Sequence, residues 1–489
     1  MRSNYQVQAT VGLSVLSQDQ REELHLAAIH CLENTGCKVD EPEALELLRE
    51  AGVHEVSPGH VLIPGSLVEE ALRRAPPAVT LHTRLGDPTV RLEGHRVYFG
   101  TGSDCPYILD PDTGERRRFT WDDVGAAMRL CDALENMDFV MSLGLVSDAP
   151  PAVSDRRQFE AMLLNTVKPI VFTAHDRAGM RDIMAMAAAA RGGPEVLERE
   201  PSICLYAEPS TPLQHTRTAV EKLLEAADHR VPVIYTPCPI AGATAPASPA
   251  GCLVVGIAEN LSGLVMHQLK RPGAPFIFGG VISIMDMRTS ILSYGAPELS
   301  LFSAALTDMA HYYRLPMFST AGCSDSKLVD EQAAIEATMS VLMAALSGAN
   351  LIHDTGFLEA AICGSMEMVV LSDEVIAAAK RILGGVPMGE DDLALDVIKE
   401  VGPGGDFLAH EHTRRHFRRN FRPRLIDRRN YEAWAKRGEG RMSDRLNARV
   451  KEILAEHRPE PVSAEAKREI ETILGRAGKA AGSQGVGGG

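Results

Sequence analysis

The chain has 489 residues, 45% of them hydrophobic, and a formal net charge of −15. That size allows one large domain with extensions, or two to three domains, each able to bury a core. The acidic balance excludes nucleic acid as a default partner, because phosphate neutralisation needs clustered Lys and Arg. No stretch approaches ~18 uninterrupted apolar residues. The opening "MRSNYQVQAT" has no apolar signal core, so neither a membrane span nor export is expected. None of the nine cysteines forms a C-x-x-C pair, so free thiols in a reducing cytoplasm are expected.

In chain order, residues 1–96 read as a helical and mixed extension, with "REELHLAAIHCLENTG" its clearest helix. From residue 97 a series of apolar, β-rich runs begins: 97–104, 139–148, 169–176, 202–209, 232–239, 275–282, 316–325 and 350–356. These eight runs start 30–43 residues apart, room for a strand, a helix and two loops. The intervening segments have helical periodicity. Ile335, Met339, Leu342 and Leu346 share one face, with Gly348 placed as a C-cap. Val254, Ile257, Leu261, Leu264 and Val265 share another. Continuous apolar strands alternating with such helices imply a parallel sheet covered by helices. Eight units predict a (β/α)₈ TIM barrel over 97–375 with helical N-terminal and C-terminal extensions. No G-x-G-x-x-G follows the first strand, which argues against a dinucleotide fold. Residues 376–475 read as a C-terminal helical extension that suits packing or a homo-oligomer. The Gly-rich end, 476–489, reads as a disordered tail. The basic stretch 410–429 reads as a helix packed on the acidic remainder.

Barrel enzymes place their chemistry at the C-terminal ends of the strands. There the chain offers Asp104, His175, Asp176, Glu208, Asp325, His353 and Asp354, and no arginine. Aromatic residues lie on or just past the same strands: Phe99, Tyr206, Tyr235, Phe278, Phe318 and Phe357. An anionic substrate would call for arginine or an amide nest. An acidic, aromatic mouth suits an organic cation. Singly, such acids also cap helices and such aromatics also fill cores.

Other constellations are weaker. There is no H-E-x-x-H, no G-x-S-x-G elbow for Ser103 and His353, and no lysine within a strand. His412 and His416 stand at i and i+4, a zinc-chelating spacing, but among arginines and without a third ligand in view. No metal is expected. A barrel hydrolase or lyase therefore lacks its usual groups.

Three stretches carry a more specific signal: "GTGSDCPYILDPDTGERR" (100–117), residues 319–374, and "HTRRHFRRNFRPRLIDRRNYEAW" (412–434). Together the chain over roughly 20–455 resembles the trimethylamine methyltransferase family. The resemblance implies a (β/α)₈ barrel that passes a methyl group from a methylated amine to the cobalt of a separate corrinoid protein, the corrinoid being carried by that partner and none bound by this chain. The trimethylamine-using branch carries pyrrolysine, and this chain has only standard residues, so it resembles the non-pyrrolysine branch acting on glycine betaine and related quaternary amines. A quaternary ammonium leaves as a neutral amine, so no general acid or base is required. The protein strips water from the cation and aims one methyl group. On this reading His353 holds the carboxylate of a betaine through a protonated or N–H-donating ring. Asp104, Glu208 and Asp354 neighbour the cation or orient His353 and the backbone, and Tyr206, Phe99, Phe278 and Phe357 are the candidates for its aromatic cage. A quaternary-amine-binding or regulatory protein without methyl transfer, or an unrelated TIM-barrel hydrolase or lyase, is the alternative.

Overall fold

The computed structural model describes residues 11–438 and 440–484. Seven barrel strands form one parallel sheet. They are β1 (Tyr98–Thr101), β3 (Ile170–Phe172), β4 (Ile203–Ala207), β5 (Val233–Tyr235), β6 (Phe276–Gly279), β7 (Met317–Thr320) and β8 (Leu351–Thr355). Their order is β1-β8-β7-β6-β5-β4-β3. The run at 139–141, β2, is reduced to two parallel bridges, Gly100 to Phe139 and Val140 to Ile170, and these close the circle. All eight apolar runs are therefore barrel staves, in the expected order.

The strands alternate faces, as a pleat requires. Phe139, Val171, Cys204, Tyr206, Ile234, Ile277, Phe318 and Leu351 share one cluster that fills the barrel. Their strand neighbours, among them Phe99, Ile170, Leu205, Val233, Phe278 and Ile352, pack outward in the larger core under the helices. A hairpin of Val79–His82 and Pro88–Leu92 belongs to the interior cluster and plugs the lower end. It is tied there by His82 N–H to the carbonyl of Pro201 at 2.8 Å and Arg84 N–H to that of Val167 at 2.7 Å.

Eight helices surround the strands: α1 (Trp121–Ala133), α2 (Ser154–Asn165), α3 (Arg177–Arg191), α4 (Arg217–Asp228), α5 (Pro249–Lys270), α6 (Pro297–Tyr313), α7 (Glu331–Ser347) and α8 (Met366–Leu383). Asp176, one of the strand-end acids, caps α3 by accepting from Gly179 N–H at 2.7 Å. Gly348 takes φ +80 at the end of α7, as expected of a C-cap. The face of α7 turned to the barrel is small, with Ala333, Ala337, Val341 and Ala344 buried. Its larger stripe points away, leaving Ile335 66% and Met339 36% exposed. The apolar spacing marked the helix correctly, but alanines occupy the crowded side next to the sheet.

Helix α5 is long and apolar enough to cross a bilayer, yet 72% of its most apolar window is buried inside the fold. The cause is a second layer: the N-terminal helices Gln18–Asn34 and Gly65–Arg74 both pack on α5. The N-terminal extension also adds a small sheet, in which Cys37–Val39 pairs with His60–Leu62 and with Gln214–His215 from the barrel loop after β4.

Beyond the barrel, Met442–Glu456 packs on α1 and α8, and a final helix, Ala464–Gln484, packs on α3. That last helix runs through much of the tail expected to be disordered. Burial of Ile470, Ile473 and Leu474 outweighs the cost of Gly475 and Gly478. Residues 485–489 of that tail lie outside the described residues. Helix α8 extends past 375, so the barrel ends at 383. The basic stretch is not one helix: Glu411–His416 and a 3-10 turn, Phe417–Arg419, precede non-helical chain around Pro423, which lacks the N–H a helix needs.

Candidate functional site

Three carboxyls from three strand ends meet at the upper mouth: Asp104 after β1, Glu208 after β4 and Asp354 on β8. Asp104 raises the pKa of the other two and Glu208 raises that of Asp354, on top of the larger effect of burial. Burial holds the Asp354 carboxyl well above the ordinary range, and the charges of Asp104 and Glu208 push it further. Burial also raises Asp104 and Glu208, the latter with help from Asp104. Glu208 is the most solvent-exposed of the three.

The backbone pays no regard to a uniform pleat here. Ile352 pairs with Phe99 and Thr355 with Thr101, so His353 and Asp354 together oppose the single residue Gly100. This bulge turns Asp354 toward the mouth instead of outward. Asp354 has φ +75, and so does Asp104, both in the left-handed region that Asp tolerates better than most residues. Gly102 makes the arrangement fit. A Cβ there would lie 2.2 Å from both Asp354 Oδ1 and Phe357 Cζ.

His353 does face inward: its ring lies 4.1 Å from Phe318 and 6.2 Å from Tyr206, centroid to centroid. Its nitrogens are both engaged. Nδ1 is 2.9 Å from the carbonyl oxygen of Ser319, which only an N–H can satisfy. Nε2 is 3.1 Å from Asp354 Oδ1. Burial lowers the His353 pKa to about 3. The ring is therefore neutral with its proton on Nδ1, and Nε2, without a proton, lies beside the Asp354 carboxyl. No N–H remains for a substrate carboxylate, which corrects the expected anchor role. His353 positions Asp354.

The carboxyls are otherwise short of partners. Ser103 Oγ donates to Asp104 Oδ2 at 3.0 Å, while Asp104 Oδ1 and Asp354 Oδ2 are buried with no hydrogen-bond partner. The cation that favours ionisation of this group is Lys222, acting on Asp104 and Glu208. Lys222 donates to the carbonyl of Ala174 at 2.5 Å.

Of the expected cage, Tyr206 and Phe357 are at the mouth. Tyr206 lies beside Glu208, whose charge adds to burial in raising its phenol pKa. Phe357 packs against Gly102. Phe99 and Phe278 are not in the cage. They fall on the outward-facing register, and Phe278 stacks edge-on against Tyr313 of α6 at 5.6 Å. Sequence reasoning missed Tyr294, Cys238 and Lys222. Tyr294 follows a hairpin inserted after β6 (Ser283–Asp286 with Ile291–Ser293). Burial raises its pKa, with added effects from Asp354, Cys238 and Glu208. Cys238 stands beside Glu208 and Tyr206. Lys222 is on a helix, so no reading of strand ends could find it.

A closed (β/α)₈ barrel with three converging carboxyls and two tyrosines at its catalytic end defines an enzyme scaffold suited to a cationic ligand. The family profile described as trimethylamine methyltransferase (MTTB) matches residues 2–481. A trimethylamine methyltransferase of Desulfitobacterium hafniense is 33% identical over 464 residues, covering 95% of this chain and 94% of that protein. A glycine betaine methyltransferase of another strain of the same species is 32% identical over 476 residues, with 96% and 98% covered. Among solved structures, the monomethylamine methyltransferase of Methanosarcina barkeri aligns with a TM-score of 0.47 at 11% identity, over 98% of this chain and 91% of that one. The chain belongs to the trimethylamine methyltransferase family and is a methyltransferase.

Proposed function

We propose that the protein moves a methyl group from a quaternary ammonium compound to the Co(I) corrinoid of a separate, cytoplasmic corrinoid protein. The observation that carries this reading is the carboxyl trio. Asp104, Glu208 and Asp354 converge at the mouth without an arginine, and two of their oxygens are buried without partners. A permanent cation answers that arrangement: it restores the ionised state that burial disfavours, and it needs no hydrogen bonds of its own. Tyr206, Tyr294 and Phe357 supply faces for its methyl groups.

The corrinoid supplies a cobalt nucleophile. The chain's own residues have the remaining work of binding the cation, excluding water and fixing one methyl outward. Exposed apolar residues in loops after the strands, Leu145, Met287, Ile291, Leu328 and Ile362, suit a protein that covers the mouth. For a betaine, the carboxylate end falls to Lys222, since His353 has no free N–H. All nine cysteines are free, in keeping with a reducing compartment.

Calorimetric titration with tetramethylammonium, choline and the uncharged tert-butyl isostere of choline tests the cation site. The two cations should bind and the isostere should not. Equal binding of the isostere would refute a site built on charge.

A further inference from the structure

We propose a divalent transition-metal site, of the kind that takes Zn²⁺, on the exposed C-terminal arm, formed by Asp391, His412 and His416. The i, i+4 histidines lacked a third ligand in the sequence, and the fold supplies it from 21 residues upstream of His412. His416 Nε2 is 2.8 Å from Asp391 Oδ2, and His412 Nε2 is 2.9 Å from the backbone carbonyl of the same residue. The two imidazoles stack 4.0 Å apart at 14°, so both present Nε2 to Asp391. One ligand atom from each of the three residues lies within 4.8 Å of the others.

Two nitrogens and a carboxylate oxygen are a zinc-type donor set, bound at about 2.0–2.2 Å, and side-chain rotation must bring the three atoms, now within 4.8 Å of one another, round a common centre. Arg415 does not close the site. It holds both Asp391 oxygens, Oδ1 at 3.0 Å and Oδ2 at 3.1 Å; binding a metal requires it to release Oδ2 while it keeps Oδ1, the usual part of an outer partner that orients a ligand. Asp392 stands beside the site on Arg419 at 2.8 Å and offsets the positive charge. Three protein ligands leave a fourth position for water.

The arm has a reason to need such a clip. Among the described residues from 381 to 440, none is buried, and Val386, Leu395 and Leu408 are at least 70% exposed. A segment with no core of its own holds its shape through cross-links, and a metal is one of the few available.

The test uses the full-length chain, freed of metal by chelator and titrated with Zn²⁺ against a chromophoric indicator. Co²⁺ serves as a visible-band probe, and trypsin cleavage within 385–430 is followed with and without Zn²⁺. The wild type should take up about one equivalent and develop a Co²⁺ d–d band. Zn²⁺ should slow cleavage of the arm. His412→Ala with His416→Ala should abolish all three effects, and Asp391→Asn, which keeps one of the two Arg415 hydrogen bonds, should weaken Zn²⁺ binding about tenfold or more. Absence of stoichiometric uptake by the wild type, or uptake retained by the double variant, would overturn the proposal.

Discussion

His353 and Asp354, adjacent on β8, hold each other across 3.1 Å while the far side of the imidazole is fixed on the Ser319 carbonyl at 2.9 Å. Adjacent residues of a regular strand face opposite ways. Here a bulge brings both to one side, so a neutral histidine sets the direction of a carboxyl that faces the mouth.

Asp354→Asn separates charge from geometry. Asn matches Asp in shape, so the local structure should survive, but the charge is lost. Binding of tetramethylammonium should weaken by about 2 kcal/mol, roughly thirtyfold in Kd, with little change in melting temperature. His353→Ala should also weaken binding, because Asp354 loses the ring that lies 3.1 Å from it. Calorimetry and a thermal scan on each variant check both statements.

Cation binding should release protons. All three carboxyls have raised pKa values, Asp354 most of all, so the empty site carries protons that a cation displaces. Affinity for tetramethylammonium should rise with pH through and above the ordinary carboxylate range. The binding enthalpy should depend on the ionisation heat of the buffer. An affinity that is flat with pH in wild type would show that the carboxyls are already ionised.

Gly102→Ala should damage the site more than the fold. The new Cβ would contact Asp354 Oδ1 and Phe357 Cζ at 2.2 Å, and both side chains must move. The expected stability loss is about 1–3 kcal/mol. Methyl transfer should fall far more steeply than that loss explains, measured by kcat/KM beside a urea melt.

The barrel was legible because buried parallel strands are apolar on both faces and amphipathic helices lie between them. Even β2, with only two bridges, announced itself as "FVMSLGLV". The acids were legible as strand-end residues. Side-chain direction was not. Phe99 and Phe278 missed the mouth by one step of a two-residue period, and the bulge that saves Asp354 has no signature in the residues around it. Tyr294 lies in an insertion and Lys222 on a helix, where counting along strands has no purchase. The tautomer of His353 depended on knowing that Nδ1 meets a carbonyl.

Glu259, on α5, gives a pH test of stability away from the mouth. Burial raises its pKa to about 7 although Leu213 N–H and Thr211 Oγ1 both donate to it, at 2.6 and 2.9 Å. A folded pKa above the unfolded one means that its contribution is complete below about pH 4.5 and is lost as pH rises through about 7, a change near 3 kcal/mol. Glu259→Gln removes that titration. The stability of the variant relative to wild type should therefore climb across this window and level off above it, read from urea midpoints at each pH.

Lys222→Gln should distinguish substrates. If Lys222 receives the carboxylate of a betaine, kcat/KM for glycine betaine should fall about tenfold or more, while that for tetramethylammonium should hold or improve.

The most direct measurement of the central claim is turnover itself. Wild-type protein is mixed with a reduced cognate corrinoid protein and, in turn, glycine betaine, choline, tetramethylammonium and trimethylamine, and the cobalt spectrum is followed. The account requires loss of the Co(I) spectrum and appearance of the methylated form with at least one quaternary compound and not with trimethylamine, and loss of that activity in Asp354→Asn. Methylation from trimethylamine alone, or undiminished transfer in that variant, would contradict it.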